Sequence, residues 1–125
     1  MGTADFYAVV EAFDEVADSL VIDTTELGGR DEGALLCFLV LADGASLSDV
    51  EPGLRKALRS ELSPRHVPDR FVVVEAIPRT LNGKKCEVPV KKILAGVAAE
   101  KAVSRGALLN PDALAPFLDL AARGV

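Results

Sequence analysis

Ala34-Leu35-Leu36-Cys37-Phe38-Leu39-Val40-Leu41-Ala42 is the longest apolar run in the chain. It falls far short of the about 20 residues that cross a bilayer. A run with no polar alternation suits a central strand covered on both faces. Upstream, Ala17 to Thr24 reads as a second strand with Val21-Ile22 at its centre. The polar stretch Gly28-Gly29-Arg30-Asp31-Glu32-Gly33 between them reads as a turn. So short a connection predicts an antiparallel pair.

Further outward, helices flank this pair. Thr3 can cap a helix whose apolar face is Phe6, Val9, Val10 and Phe13, with Asp5 near its positive end. Ser48 and Glu51 have capping-box spacing. Pro52 is tolerable so near a helix start. Val50, Leu54, Leu58 and Leu62 then recur at helical spacing, and Arg55, Lys56 and Arg59 face water. Two prolines end that helix in the loop Leu62 to Asp69, and Arg70 to Glu75 predicts a third strand.

Pro89 suits a helix first turn and Gly96 its stop. Lys101 to Leu109 is a connector without a clear period. Asn110-Pro111-Asp112 has the order of cap, first-turn proline and early acid for a last helix, with Leu114, Phe117, Leu118 and Ala121 as its stripe. The order α-β-β-α-β-α-α predicts an α+β fold. It is a small sheet of about three strands, mostly antiparallel, covered by helices.

Length and composition narrow the function. The 125 residues form one domain with a real core, and half are hydrophobic. Fourteen basic against 19 acidic residues give a net charge of −5, which argues against nucleic acid or an anionic membrane as partner. The absence of Trp and a single Tyr argue against a base-stacking platform. Cys37 and Cys86 have no metal-ligand spacing, and one His cannot complete a Cys/His site, so no metal is expected. No charged-then-apolar leader opens the chain, and the cysteine usage fits a reducing cytoplasm.

Several patterns fail as sites. Gly28-Gly29 lacks the spacing of a dinucleotide-binding loop. Gly83-Lys84 is no phosphate-binding loop, because Pro78 stands where Gly should and Lys85 where Ser or Thr should. Ser63, His66 and Asp69 lie close together but have no nucleophile elbow or oxyanion hole. His66 reads as a hydrogen-bonding loop residue. Lys91 and Lys92 read as a solvated helix face.

What remains is Ile77-Pro78-Arg79-Thr80-Leu81-Asn82-Gly83-Lys84, a stiff loop closing in an Asn-Gly turn with a lysine at its tip. From its residues alone it is a surface turn carrying an aimable cation.

The run Pro78 to Lys84 resembles the C-terminal lysine motif of the adenylate-forming enzymes, which is Pro-x-Thr-x-x-Gly-Lys, and meets every fixed position. Pro64 to Pro68 is similar to the loop before the family's next strand, and Gly2 to Tyr7 to the segment after its interdomain hinge. Leu62 to Asp69, Gly83 to Gly96 and Asn110-Pro111-Asp112 look most like the acetoacetyl-CoA synthetase branch. The resemblance spans essentially the whole chain, as the mobile C-terminal domain alone.

This resemblance implies that residues 1–125 are the single lysine-bearing domain, without the large N-terminal domain that holds the acyl and ATP pockets. It implies an AMP-forming acid–CoA ligase using ATP, CoA and, in the full enzyme, magnesium, with none bound by the isolated domain. Lys84 would be the adenylation residue, Gly83 would let the backbone turn close to substrate, and Thr80 and Asn82 would brace the loop. The domain would then rotate for thioester formation. The expected partners are the large N-terminal domain and a protein acetyltransferase modifying Lys84. The rival readings are an acetate- or propionate-type ligase domain and a non-catalytic regulatory module.

Overall fold

The computed structural model describes residues 3–24 and 34–123. Three strands form one sheet in the order β1 (Val16–Asp23), β2 (Leu35–Leu41), β3 (Arg70–Val73). β2 is central, as its uninterrupted apolar sequence predicts. It pairs antiparallel with β1 over seven positions and parallel with β3 over four. The sheet is therefore mixed, with the antiparallel pairing the longer. The parallel pairing follows from α2 (Leu47–Glu61), the crossover between β2 and β3.

Alternation along β2 sends its side chains into two cores. Leu36 and Phe38 meet Leu20 and Ile22 of β1 under α3 (Glu87–Leu94) and α5 (Ala115–Ala122). Leu35, Cys37 and Leu39 meet Phe6 and Val10 of α1 (Thr3–Val10) and Val50, Leu54 and Leu58 of α2. Helices cover both faces, so neither face of β2 could carry a polar residue without burying it.

Several helix ends differ from their sequence reading. α2 begins at Leu47 with Ser46 in the cap position, not Ser48, and Ser46 Oγ donates to the Asp49 carboxylate instead of capping a backbone N–H. Pro52 thus lies inside the helix. Arg55 does not simply face water: it pairs with Glu51 at 2.7 Å, donates to Pro68 O at 2.8 Å and lies over the Phe71 ring. Gly96 does stop α3. At φ +101° it donates to Ile93 O while Val97 N–H donates to Lys92 O, a double closure that Gly permits without steric cost.

The connector before the last helix becomes a short helix α4 (Ala99–Ala102) and a 3₁₀ turn at Arg105–Ala107. A second 3₁₀ turn, Pro111–Leu114, leads into α5, whose Phe117 is fully buried and meets Phe38 edge-on at 4.6 Å. Leu118, read as part of the buried stripe, is 39% exposed. The glycine-rich turn at 28–33, and with it the Gly28-Gly29 pair, lies outside the described residues.

Candidate functional site

The chain leaves β3 into the loop that carries the lysine. Ile77 and Pro78 are buried and seat the loop on the core. Arg79 and Lys85 then form an antiparallel bridge, and Thr80 N–H donates to Lys84 O at 2.8 Å. Gly83 N–H returns to Thr80 O at 2.8 Å, which closes a three-residue hairpin loop. Gly83 has φ +82°, and among the described residues no non-Gly residue has positive φ. Asn82 therefore keeps ordinary backbone geometry and Gly83 alone supplies the left-handed position. This is the turn followed by a glycine bulge, not the two-residue Asn-Gly turn.

Within the turn, Thr80 Oγ1 accepts from Lys84 N–H at 3.2 Å. Asn82 is exposed, and its side chain makes no hydrogen bond among the described residues.

The hairpin is held from two sides. On one, the segment 107–110 runs beside it: Leu81 N–H donates to Ala107 O at 3.0 Å, Thr80 bridges Leu108, and Leu109 N–H donates to Arg79 O at 2.9 Å. Asn110, expected to cap the last helix, makes no capping bond. Its side chain instead accepts from Arg79 N–H and donates to Ile77 O, both at 2.9 Å.

On the other side stands β1, where the register shifts between Val16 and Asp18. Asp18 follows this irregularity and accepts a two-pronged contact from Arg79, both carboxylate oxygens lying 2.7 Å from Nη2. Arg79 Nη1 reaches back to Gly83 O at 2.7 Å, so one guanidinium ties β1 to the turn. Such a forked contact fixes orientation as well as distance.

Lys85 completes this second attachment. Its side chain is only 14% exposed. Its ammonium pairs with Glu11, lies 3.7 Å from Asp18 and sits over the Tyr7 ring, 3.4 Å from the centroid. Ser19 Oγ donates to the same Glu11 carboxylate at 2.6 Å. Tyr7 donates its hydroxyl hydrogen to Glu87 at 2.5 Å and accepts from Val21 N–H on the open edge of β1. Burial and the Glu87 hydrogen bond push the Tyr7 hydroxyl well above the usual phenol range, so it stays a donor at neutral pH.

Lys84, one residue earlier, is exposed, and among the described residues its ammonium has no hydrogen-bond or ion-pair partner. Adjacent residues leave a strand on opposite sides. One lysine of the pair is thus locked among carboxylates and the other is presented outward on a braced turn.

The remaining candidates fall away. Ser63 Oγ and His66 Nδ1 are 2.7 Å apart, and Ser63 caps the 3₁₀ turn Pro64–His66, but the Asp69 carboxylate is committed to Leu35 N–H at 2.7 Å. No triad forms from these three residues. Cys37 and Cys86 are buried, and burial pushes both thiols up, away from the reactive thiolate. Among the described residues no three His, Cys, Asp or Glu side chains converge as metal donors, and no helix is long and apolar enough to cross a membrane.

The AMP-binding enzyme C-terminal domain family matches residues 8–84, a span that ends on Lys84 itself. The chain belongs to that family. Within it, the chain is similar to acetoacetyl-CoA synthetases: 41% identity to that of Rattus norvegicus, over 95% of this chain and 17% of the rat protein, and 36% to that of Rhizobium meliloti, over 96% and 18%. The solved acetoacetyl-CoA synthetase from Streptomyces lividans superimposes with a TM-score of 0.89 at 40% identity, covering this whole chain and 18% of that one. The amide bond synthetase McbA from Marinactinospora thermotolerans matches at a TM-score of 0.57 and 28% identity, over 70% of this chain and 17% of its own. The chain thus spans about a sixth of the length of the relatives it matches.

Proposed function

We propose that this chain is the lysine-bearing C-terminal domain of an AMP-forming acid–CoA ligase, working with a large N-terminal domain of the same enzyme. The carrying observation is the exposed Lys84, without a hydrogen-bond or ion-pair partner among the described residues, on a hairpin that Asp18, Lys85 and Asn110 hold fast. In the first half-reaction, a carboxylate oxygen attacks the α-phosphorus of ATP, the bond to the β-phosphate oxygen breaks, and pyrophosphate leaves. Negative charge gathers on the phosphoryl oxygens, and a fixed ammonium there lowers the transition state more than the ground state. In the second, the CoA thiolate attacks the acyl carbonyl and AMP leaves.

Lys84 serves only the first step. The domain then rotates as one body, withdraws Lys84 and presents its other side to the thioester step, a switch between two discrete states. The two helix layers and the double attachment of the hairpin favour rigid-body motion. Magnesium accompanies the ATP phosphates. The described residues offer no three-donor cluster for it, so no step is assigned to a metal on this chain. Acetoacetate is the proposed acid because the relatives cited above carry that name. Acetate or propionate remain the rival acids, since the acid pocket would lie in the other domain. The test is acid-dependent ATP–pyrophosphate exchange, compared across these acids in the complete ligase and in the 125-residue chain alone. Exchange by the chain alone would refute this division of labour.

A second reading concerns control, and the contrast between Lys84 and Lys85 favours it. Acylation of Lys84 neutralises the cation and so removes its role. A protein acetyltransferase can reach Lys84, whereas Lys85 is shielded by Glu11, Asp18 and Tyr7. Mass spectrometry after treatment with an acetyltransferase and acetyl-CoA is expected to find acetyl at Lys84 and not at Lys85. Equal labelling of both would sink this reading.

A further inference from the structure

The family match stops at Lys84, yet the contacts that brace the hairpin's free side come from beyond it, at Ala107 to Asn110. We propose that Asn110 is a positioning residue: its side-chain amide locks Ile77 and Arg79, so that the carboxy-terminal segment holds the hairpin carrying Lys84. The consequence for catalysis rests on the reading of Lys84 given above.

The chemistry of the contact is selective. Ile77 offers a carbonyl and Arg79, two residues on, an N–H; both point to Asn110 at 2.9 Å. One end needs a donor and the other an acceptor, and a primary amide carries both. An aspartate in its place keeps the acceptor and loses the donor. An alanine loses both and leaves two partly buried backbone groups unpaired. The same network fixes which amide atom is which.

Asn110 also sits at a junction. Leu109 N–H joins Arg79 O, so the strand-like pairing of 107–109 with the hairpin ends where the side-chain bonds begin. Pro111 follows and keeps Asn110 out of the helical region, here at φ −137° and ψ 70°. Beyond it, α5 is anchored through Phe117 against Phe38 in the sheet core. The path runs from the sheet through α5 to Asn110 and on to the hairpin. Opposite it, Asp18 and Glu11 hold Arg79 and Lys85. Without Asn110 the hairpin keeps the Asp18 side and loses its side-chain lock on the other.

The experiment pairs two readouts on Asn110→Ala and Asn110→Asp. In the 125-residue chain, hydrogen exchange at the amides of Thr80, Leu81, Gly83 and Leu109 is expected to accelerate at least about tenfold in Asn110→Ala, as for a local opening. The acceleration is smaller in Asn110→Asp, and the amides of β1 and β2 are unchanged. In the complete ligase, kcat of adenylation is expected to fall roughly 10- to 100-fold, as for a misplaced catalytic group. KM for ATP and acid, and thioester formation from supplied acyl-adenylate, stay unchanged. Unaltered hairpin exchange overturns the proposal, and so does uniform acceleration across the whole chain, which marks Asn110 as a general stability residue. If Asn110→Ala opens the hairpin while neither it nor Lys84→Ala slows adenylation, the reading of Lys84 fails and the positioning of the hairpin stands.

Discussion

Lys84→Ala in the complete ligase is expected to lower acid-dependent ATP–pyrophosphate exchange about 10²- to 10³-fold, the usual cost of removing one preorganised charge-stabilising donor. Thioester formation from supplied acyl-adenylate should stay within about twofold, since an interaction made only in one transition state is lost only there. The fold should be untouched, because the ammonium has no hydrogen-bond or ion-pair partner among the described residues and surface changes of that kind are worth within about 0.5 kcal/mol. Lys84→Arg keeps the charge but not the compact shape, so it is expected to recover only part of the rate. If both half-reactions survive in Lys84→Ala, the assignment of the residue is wrong. If both collapse together, the lysine acts in binding or stability and not in adenylation.

The largest expected effect on stability lies at Phe117→Ala. The ring is fully buried, and it meets Phe38, another fully buried ring, at 4.6 Å. Truncating a buried aromatic costs about 3–5 kcal/mol through lost transfer energy and the cavity left behind. That is a large share of the roughly 5–15 kcal/mol that holds a domain together. Urea unfolding should show a midpoint well below that of the parent with little change in slope. Leu118→Ala, one residue on and 39% exposed, is expected to move stability by less than about 1 kcal/mol. Equal losses at the two positions would mean that α5 is not seated on the sheet through Phe117. The 3₁₀ turn Pro111–Leu114 joins Asn110 to α5, so a destabilised α5 should loosen the hairpin before the sheet opens.

The layers of the fold are legible in the sequence because burial writes itself into local patterns. Leu35 to Leu41 has no polar residue because both its faces are covered. Val50, Leu54 and Leu58 recur at helical spacing because α2 buries one stripe. Gly96 and Gly83 mark positions of positive φ, which glycine takes without steric cost. Choices between equivalent local chemistries are less legible. Ser46 and Ser48 are both good caps, and nothing local says which one begins α2. Nor does local pattern distinguish an all-antiparallel sheet from a mixed one, since β3's direction is set by the crossover through α2.

The lysine loop was visible by its motif, whereas the residues that fix it were not. Asp18 lies 61 positions from Arg79, Glu11 lies 74 from Lys85, and Asn110 lies 31 and 33 from the backbone groups it holds. No periodicity links such partners. The available signals were weak: a charged Asp18 inside a strand and Asn110 at a helix start. The second has a ready local explanation as a cap, and that explanation concealed its longer-range bonds.

The doublet Lys84-Lys85 looks redundant on paper, but the hairpin makes it the opposite of a spare. Losing Lys84 does not promote its neighbour, because Lys85 would have to abandon Glu11, Asp18 and the Tyr7 ring and cross to the other side of the strand. Deleting a single residue between Gly83 and Cys86 would keep a lysine after the turn and forfeit one of the two placements. Chemically identical side chains are here given opposite surroundings by parity alone, by whether a position counts odd or even from the turn.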